Sequence, residues 1–351
     1  MPMSPPLVDI VLCGTRERDA WELFVQNAPN ATICHHFLWQ SVIQSAYGHR
    51  PFYLMARDGE HVRGILPLIL VSSRLFGRSL TSMPFLDYGG VCTDDAGIAN
   101  ALIERAKLLM REYAVDCVEL RQRMPTGDEG SVRRDKVGMV LDLSPGIEAL
   151  WRGLPTKMRN HVRKAEKSGL KVEVGGGELL PEFYPVFLEN MRDLGSPVHH
   201  QLFFRRIFEQ FGEQVRLFLV RDEGHPIGGV VCFFFRDTVT VPWASSLRRY
   251  ATKCPNNLLY WAALQYACAQ NYARFDFGRS SIDSGTYVFK KQWGAQPIQV
   301  YWQLLSKDPE QTSLAFAANE SKYKIAVEAW KRLPLPVTKI LGPAIRKYLT
   351  N

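Results

Sequence analysis

The chain has 351 residues, of which 46% are hydrophobic and 22% charged, and its formal net charge is +8. This composition excludes a disordered or fibrous chain, and the length is one at which a single core gives way to two. The excess of cations favours phosphates, nucleic acid or an anionic membrane as partners without identifying which of them is bound.

Cysteine usage and the first residues favour a reducing cytoplasm. Seven cysteines occur singly, without a CxxC pair, so neither a disulfide framework nor a zinc site is expected, and no other bound metal is expected either. The opening MPMSPPLVDIVL lacks a basic leader and a long apolar core, so no signal peptide is expected. No apolar run reaches membrane-spanning length. Any membrane contact is therefore expected to be peripheral, at the inner face of the plasma membrane.

The first part of the chain alternates short apolar runs with amphipathic segments, a pattern typical of a mixed α+β domain. In chain order the predicted elements are a strand at Leu7–Leu12, helices at Glu17–Asn27 and His36–Tyr47, a hairpin of Phe52–Arg57 with Val62–Ser73, a helix at Ala96–Tyr113 and a strand at Asp116–Arg121.

The second part repeats this order of elements without repeating its residues. The predicted elements are helices at Ile147–Leu154 and Pro155–Ser168, a strand at Lys171–Val174, helices at Glu178–Leu194 and Gln201–Gln210, strands at Val215–Arg221, Pro226–Arg236 and Thr238–Ala244, a helix at Asn256–Asn271, and strands at Ala273–Phe277 and Pro297–Leu305.

The stretch Met124–Lys136, with a proline, two glycines and charges of both signs, is the best candidate linker. We therefore predict one domain over residues 1–135, a second over 136–308, and a basic helical tail over 309–351. Val137–Leu143 could instead pair with the first sheet. The tail could pack on the second domain, the default for an amphipathic helix, or lie on anionic lipid.

The segment between Phe275 and Gly294, FDFGRSSIDSGTYVFKKQWG, is the densest in chemistry. A strand ends in Gly-Arg-Ser-Ser, a Ser-Gly turn follows, and a short helix then begins. Small residues permit close backbone approach to a ligand, and a helix start directs unpaired N–H groups at it. An anionic or developing-oxyanion ligand suits this segment. The candidate residues here are Asp276, Arg279, Ser280, Ser281, Tyr287, Phe289, Lys290 and Trp293.

This segment resembles the C-terminal signature of FemAB-type proteins, in particular the group associated with exosortase/PEP-CTERM systems. KMRNHVRKAEKSGLKVEV (Lys157 to Val174) and NNLLYWAALQYACAQNYARFDFG (Asn256 to Gly278) are also similar to family segments. The resemblance extends over roughly residues 30–305. It implies two GNAT-like acyltransferase domains in tandem, each with a mixed, mostly antiparallel sheet flanked by helices.

The resemblance also implies roles for residues. Characterised relatives transfer amino acids from aminoacyl-tRNA to amines of peptidoglycan precursors, and others in the superfamily use acyl-CoA. Lys290 is similar to a lysine placed against the transferring acyl group, where it could stabilise an oxyanion. Tyr287 is a further catalytic candidate, and Asp276 could be the base or could pair with Arg279.

Two basic stretches are candidate phosphate contacts. The predicted helix near Lys157 carries Arg159 and Arg163, which resemble the family's diphosphate-binding positions. The turn with Arg248 and Arg249 precedes a helix start near Asn256, where GNAT enzymes hold the pyrophosphate of coenzyme A. The usual glycine-rich loop is absent, however, because residues 248–257 contain no glycine. A tRNA phosphate could be bound there instead.

The sequence therefore predicts an N-acyltransferase with no tightly bound cofactor, its donor being aminoacyl-tRNA or acyl-CoA. The expected acceptor is an amine on a phosphorylated or lipid-linked precursor of the cell envelope or an exopolysaccharide. Charged tRNA and an anionic membrane are further candidate partners. Two alternatives stay open: an acyl-CoA-dependent acetyltransferase, and a non-catalytic scaffold that binds phosphorylated carriers.

Overall fold

The computed structural model describes residues 8–73, 77–124, 131–306 and 325–350. These residues divide into two compact units. The first unit contains the described residues up to Lys136 together with 299–306 and 348–350, and the second contains 137–298 and 325–347.

All elements expected in the first part of the chain form, and two short strands were missed. The missed strands are Gly77–Thr81, which follows the long hairpin directly, and Ser131–Arg133, which lies within the predicted linker. The elements are β1 (Asp9–Leu12), α1 (Arg18–Asn27), α2 (Leu38–Tyr47), β2 (Arg50–Asp58), β3 (His61–Ser73), β4 (Gly77–Thr81), α3 (Ala96–Glu112), β5 (Cys117–Gln122) and β6 (Ser131–Arg133).

The remaining elements also follow the predicted order. They are β7 (Lys136–Asp142), α4 (Ile147–Gly153), α5 (Thr156–Lys167), β8 (Lys171–Gly175), α6 (Leu180–Leu194), α7 (Gln201–Phe211), β9 (Val215–Asp222), β10 (His225–Phe235), β11 (Thr238–Ser246), α8 (Pro255–Ala269), β12 (Arg274–Ser281), α9 (Gly285–Gln292), β13 (Gln296–Gln299), β14 (Tyr301–Ser306) and α10 (Leu335–Arg346).

Among the described residues, the strands form two seven-stranded sheets with the same plan. The first has the order β1-β2-β3-β4-β5-β14-β6, and the second, read from its far edge, has the order β8-β9-β10-β11-β12-β7-β13. In each sheet four antiparallel strands form a meander, a helix crosses over, and a parallel strand follows. The crossover helices are α3 and α8. The predicted α+β fold with a repeated mixed sheet is confirmed.

The segment Pro297–Leu305, predicted as one strand, is two strands in different sheets. β13 lies at the edge of the second sheet, whereas β14 pairs with β5 and β6 in the first. The observed division therefore departs from the predicted range 136–308, because the chain returns to the first sheet after β13. Val137–Leu143, which could have paired with the first sheet, lies in the second as β7. The linker residues 125–130 lie outside the described residues.

Each sheet buries an apolar face against its crossover helix. In α3, which Asp95 caps by accepting from the Gly97 and Ile98 N–H groups at 2.7 and 3.1 Å, the buried stripe packs on β2, β3 and β5. In the second unit, α8 is buried on most of its surface between the sheet and helices α4 and α5. Because α8 is covered on several sides, its sequence is expected to be apolar around most of the helix.

Of the predicted tail, residues 309–324 lie outside the described residues. Residues 325–331 and α10 are helical, and α10 packs on α6 of the second unit. Within the described parts of the chain, no helix combines the length and apolar character needed to cross a bilayer.

Candidate functional site

The second sheet opens between β11 and β12. These parallel strands pair at only three positions, Thr238–Thr240 against Arg274–Asp276, although β11 continues to Ser246 and β12 to Ser281. Beyond these pairs, the strands are no longer joined by a ladder. Across the opening each strand therefore lacks the other as a ladder partner, and an extended group can add to a strand edge of this kind.

A β-bulge in β11 lies at the mouth of this opening. Val231 of β10 pairs with Trp243, and Phe233 pairs with Thr240. A step of two residues along β10 therefore lies opposite a step of three along β11, which leaves one extra residue in β11. The extra residue falls beside Pro242, which has no N–H to donate to a ladder. A proline inside a strand pattern signals an edge or a bulge, so this feature could have been found from the sequence.

Asp276 occupies the last paired position before the strands diverge. It is 4% exposed, and its Oδ1 accepts a hydrogen bond from the Gly278 N–H at 2.8 Å. Gly278 has a φ of 73°, a conformation that glycine adopts without a steric penalty. The carboxylate therefore fixes the bend at which β12 turns away from β11.

Lys290, on α9, reaches the same bend from the other side. Its ammonium is buried and donates to the carbonyl oxygens of Gly278 at 3.0 Å and Arg279 at 2.9 Å. The carboxylate of Asp276 and the ammonium of Lys290 thus hold the N–H and the C=O of one glycine. The sequence predicted Lys290 at the site, and its observed contacts are to backbone carbonyls.

Ser280 is the polar group here that most clearly lacks a partner. Its side chain is 4% exposed, and its Oγ makes no hydrogen bond with the described residues. A buried hydroxyl without a partner costs free energy, so such a group is expected to bond to a ligand or to water. Ser281, by contrast, belongs to the turn, where its carbonyl accepts from the Ser284 hydroxyl at 2.7 Å.

Helix α9 begins at this turn and carries the aromatic candidates. Ser284 caps it by accepting from the Tyr287 N–H at 3.2 Å. Tyr287 and Phe289 pack against the hydrophobic core of the second unit. Trp293 is 2% exposed and stacks on Trp261 with ring centroids 6.5 Å apart. Phe289 and Trp293 contact the α8 residues Tyr260 and Trp261 and so anchor α9, and thereby Lys290, to α8.

The basic helix α5 is divided between structural and exposed cations. The Arg159 guanidinium donates to the Arg152 and Leu154 carbonyls at 2.9 and 2.7 Å and so closes the end of α4. The Arg163 guanidinium lies 5.6 Å from the centre of the Trp151 ring. Lys157 is exposed at the start of the helix. Of the two arginines proposed for a diphosphate, Arg159 is thus already committed to backbone.

The start of α8 is a weaker anion site than the sequence suggested. The N–H groups of Asn257 and Leu258 are both directed at the Cys254 carbonyl, at 3.1 and 3.4 Å. Asn256 is exposed. The Asn257 amide lies 3.6 Å from the Met158 sulfur, a contact that brings the start of α5 beside the start of α8.

The two arginines before α8 differ in their surroundings. Arg249 forms an ion pair with Glu189 of α6 and lies 5.3 Å from the centre of the Tyr250 ring. Arg248 is exposed and forms no ion pair with the described residues. Arg248 is therefore the better candidate for a phosphate contact.

Sequence reasoning missed a polar pair on the far side of β11. Asn190 of α6 donates to the Ser245 hydroxyl at 2.9 Å, and Ser245 is 3% exposed. The helical pattern of α6 gives no indication that Asn190 faces a strand serine.

The equivalent opening in the first unit is filled. There β4 and β5 also pair at only three positions, and buried Arg121 lies beyond them. Its guanidinium donates to the Leu86 and Thr350 carbonyls, both at 2.6 Å, and to Glu119 at 2.7 Å. The second unit is therefore the one whose opening retains an unpartnered buried donor.

No cluster of three or more histidine, cysteine, aspartate or glutamate side chains among the described residues could hold a metal ion. His35 and His199 are buried, at 4% and 1% exposure, and burial lowers the pKa of His35 to about 4.

Residues 155–291, all within the second unit, match the family described as an acetyltransferase (GNAT) domain. No curated protein matches the chain. The second unit therefore carries a GNAT-type domain, and the observed opening and bulge lie inside the matched segment.

The structures of several solved proteins superpose on both units of this chain. FemX has a TM-score of 0.65 at 15% identity, covering 85% of this chain and 97% of its own. A tandem GNAT protein from the clavulanic acid biosynthesis pathway has a TM-score of 0.56 at 14% identity, covering 86% and 99%. The C-terminal domain of a protein assigned as a lysylphosphatidylglycerol synthetase in Agrobacterium fabrum has a TM-score of 0.60 at 11% identity, covering 86% and 94%. The tandem GNAT fold is confirmed.

Proposed function

We propose that the second unit is an N-acyltransferase that moves an acyl or aminoacyl group onto an amine of a phosphorylated cell-envelope precursor. The observation that carries this proposal is the opening between β11 and β12. Asp276 and the unpartnered hydroxyl of Ser280 lie on the β12 side of this opening, and Lys290 reaches the same bend of β12 from α9. The match to a GNAT family over the same segment supports it.

In the proposed reaction the amine nitrogen attacks the carbonyl carbon of an ester or thioester directly. The new C–N bond forms, the C–O or C–S bond breaks, and the leaving oxygen or sulfur takes up the proton that the base has removed from the amine. Lys290 provides positive charge, and Ser280 a hydroxyl donor, for the oxyanion that forms in between. Asp276 accepts the proton that the amine loses. No covalent enzyme intermediate is needed.

Aminoacyl-tRNA is the proposed donor. A coenzyme A pyrophosphate needs free N–H groups in the first turn of α8, but Pro255 has no N–H and that of Asn257 already points at the Cys254 carbonyl. The preceding loop also lacks glycine from residue 248 to 257. The family description as an acetyltransferase favours the second candidate, an acyl-CoA-dependent enzyme on the same fold.

The proposed phosphate contacts are the exposed groups at the adjoining starts of α5 and α8. Lys157 is exposed at the start of α5, Asn256 in the first turn of α8, and Arg248 in the turn that precedes α8 and contacts α5. Arg163 is exposed almost two turns further along α5. Full charges at an exposed surface suit a phosphate that arrives from solvent.

Calorimetry tests the identity of the donor, and two arginine variants test the phosphate site. We expect charged tRNA to bind more tightly than coenzyme A. Arg248→Ala should weaken the binding of charged tRNA, and Arg249→Ala should weaken it less, because Arg249 is ion-paired with Glu189. Tight coenzyme A binding with no affinity for charged tRNA would establish the second candidate. Equal losses in the two variants would remove Arg248 from the site.

A further inference from the structure

The outward face of α10 is apolar. Val337, Ile340, Leu341 and Ala344 follow the spacing of three and four residues that in most helices faces the core. Here the same positions are exposed, with Val337 at 36%, Ile340 at 74% and Leu341 at 45%. A helix whose apolar stripe faces outward has a surface that can bind a second protein surface or a lipid layer.

The opposite face of α10 is fixed to the second unit. Thr338 and Gly342 are buried against it, and a Cβ atom on Gly342 would lie 2.9 Å from the Val198 Cγ1. The Arg346 Nε donates to the Nε2 of buried His199 at 3.0 Å. These contacts set the rotation of α10 about its own axis, so the apolar stripe is held outward by the fold.

The segment that contains the stripe is basic. From Ala329 to Thr350 the sequence contains no Asp or Glu. Lys339 is exposed immediately before Ile340 in the chain. An apolar helix face with basic neighbours is the pattern of a helix that lies in the interface of an anionic bilayer. The other cations in this segment are Lys331, which pairs with Glu328, Arg332, Arg346, whose Nε donates to His199 on the fixed face, and Lys347.

A second copy of the chain fits this face less well. Twelve residues of helix extend over about 18 Å, too little for the roughly 800 Å² per partner that a stable dimer buries. Pairing two such faces would also bring like charges together, which disfavours association.

We propose that the exposed face of α10 docks the protein onto an anionic lipid surface. The Ile340 and Leu341 side chains enter the boundary between headgroups and acyl chains, while Lys339 contacts lipid phosphates. This inference is independent of the proposed transfer reaction, since neither face of α10 uses a residue of the candidate site.

Co-sedimentation with vesicles tests it. The full chain is mixed with vesicles of phosphatidylcholine alone or with an equal part of phosphatidylglycerol. We expect binding to the anionic vesicles that weakens with added salt. Ile340→Ser combined with Leu341→Ser should lower the partition coefficient about tenfold or more. Lys339→Gln should lower it roughly fivefold.

Leu23→Ser is the matched control, because Leu23 is 66% exposed on α1 and lies outside the docking face. Its partition coefficient should equal that of the unaltered chain, and all variants should retain the same melting temperature. Any of three results would overturn the proposal: no binding to anionic vesicles, equal binding to neutral vesicles, or unchanged binding by the Ile340/Leu341 variant. Concentration-dependent dimers that this variant abolishes would also overturn it and assign the face to self-association.

Discussion

Replacing Lys290 with methionine isolates what its ammonium does, because methionine has a similar length and no donor. The substitution removes hydrogen bonds of 3.0 and 2.9 Å to the Gly278 and Arg279 carbonyls. Bonds from charged donors contribute about 1.5–3 kcal/mol each, and relief from burying the charge offsets part of this. We therefore expect the free energy of unfolding of the second unit to fall by about 3 kcal/mol.

Lys291→Met is the matched control. Lys291 is the next residue, is exposed, and places its ammonium 5.9 Å from the centre of the Tyr287 ring. Its loss should change the free energy of unfolding by less than about 1 kcal/mol. Urea denaturation monitored by tryptophan fluorescence, for which Trp261 and Trp293 report on this core, measures both variants.

Single-turnover transfer assays on the folded variants then separate stability from catalysis. If Lys290 stabilises the oxyanion, Lys290→Met should lower the transfer rate by roughly 100-fold, the effect of losing one such donor, with little change in acceptor affinity. Equal unfolding free energies for the two lysine variants would refute the structural reasoning. Wild-type turnover in folded Lys290→Met would remove Lys290 from the mechanism.

Three further predictions concern individual groups. Ser280→Ala should change the free energy of unfolding by less than about 0.5 kcal/mol, because the Ser280 hydroxyl has no partner to lose. Ser245→Ala should lower it by about 1 kcal/mol, because Asn190 loses its acceptor. Equal losses for the two variants in denaturant titrations would contradict this. Burial lowers the pKa of His35 to about 4, so the stability that it contributes above pH 6.5 should be lost as the pH falls toward 4. The loss is about 3 kcal/mol relative to His35→Gln, and parallel pH profiles for the two proteins would argue against it. Gly278→Ala should destabilise the second unit by about 1 kcal/mol because of its φ of 73°, and an unchanged denaturation midpoint would count against that strain.

Local patterns predicted most elements because their signals are short-range. The Asp95 cap and the apolar spacing of α3 lie within a few residues of one another, and Ser284 caps α9 in the same way. The separation of β13 from β14 could not be predicted, since the partner of each strand is set by residues far away in the chain. One apolar run over Pro297–Leu305 gives no sign of where it crosses to another sheet.

The sequence predicted which residues belong to the candidate site, but not the contacts that they make. The sequence identified Asp276, Ser280 and Lys290, but the bend at Gly278 that joins them depends on hydrogen bonds between a strand and a helix. The same limitation applies to cations. Nothing in the spacing of α5 distinguishes Arg159, which closes α4, from exposed Lys157. The association with exosortase systems stays a prediction.

The most direct test is to detect the product. Purified protein is incubated with charged tRNA or with acetyl-coenzyme A, and with a diphosphate-linked sugar precursor that carries a primary amine, and the mixture is examined by mass spectrometry. We expect a new amide on the precursor, formed from the charged tRNA and lost in Asp276→Asn and Lys290→Met. Binding of these ligands without any amide product from either donor would contradict an acyltransferase and leave a carrier-binding scaffold in its place.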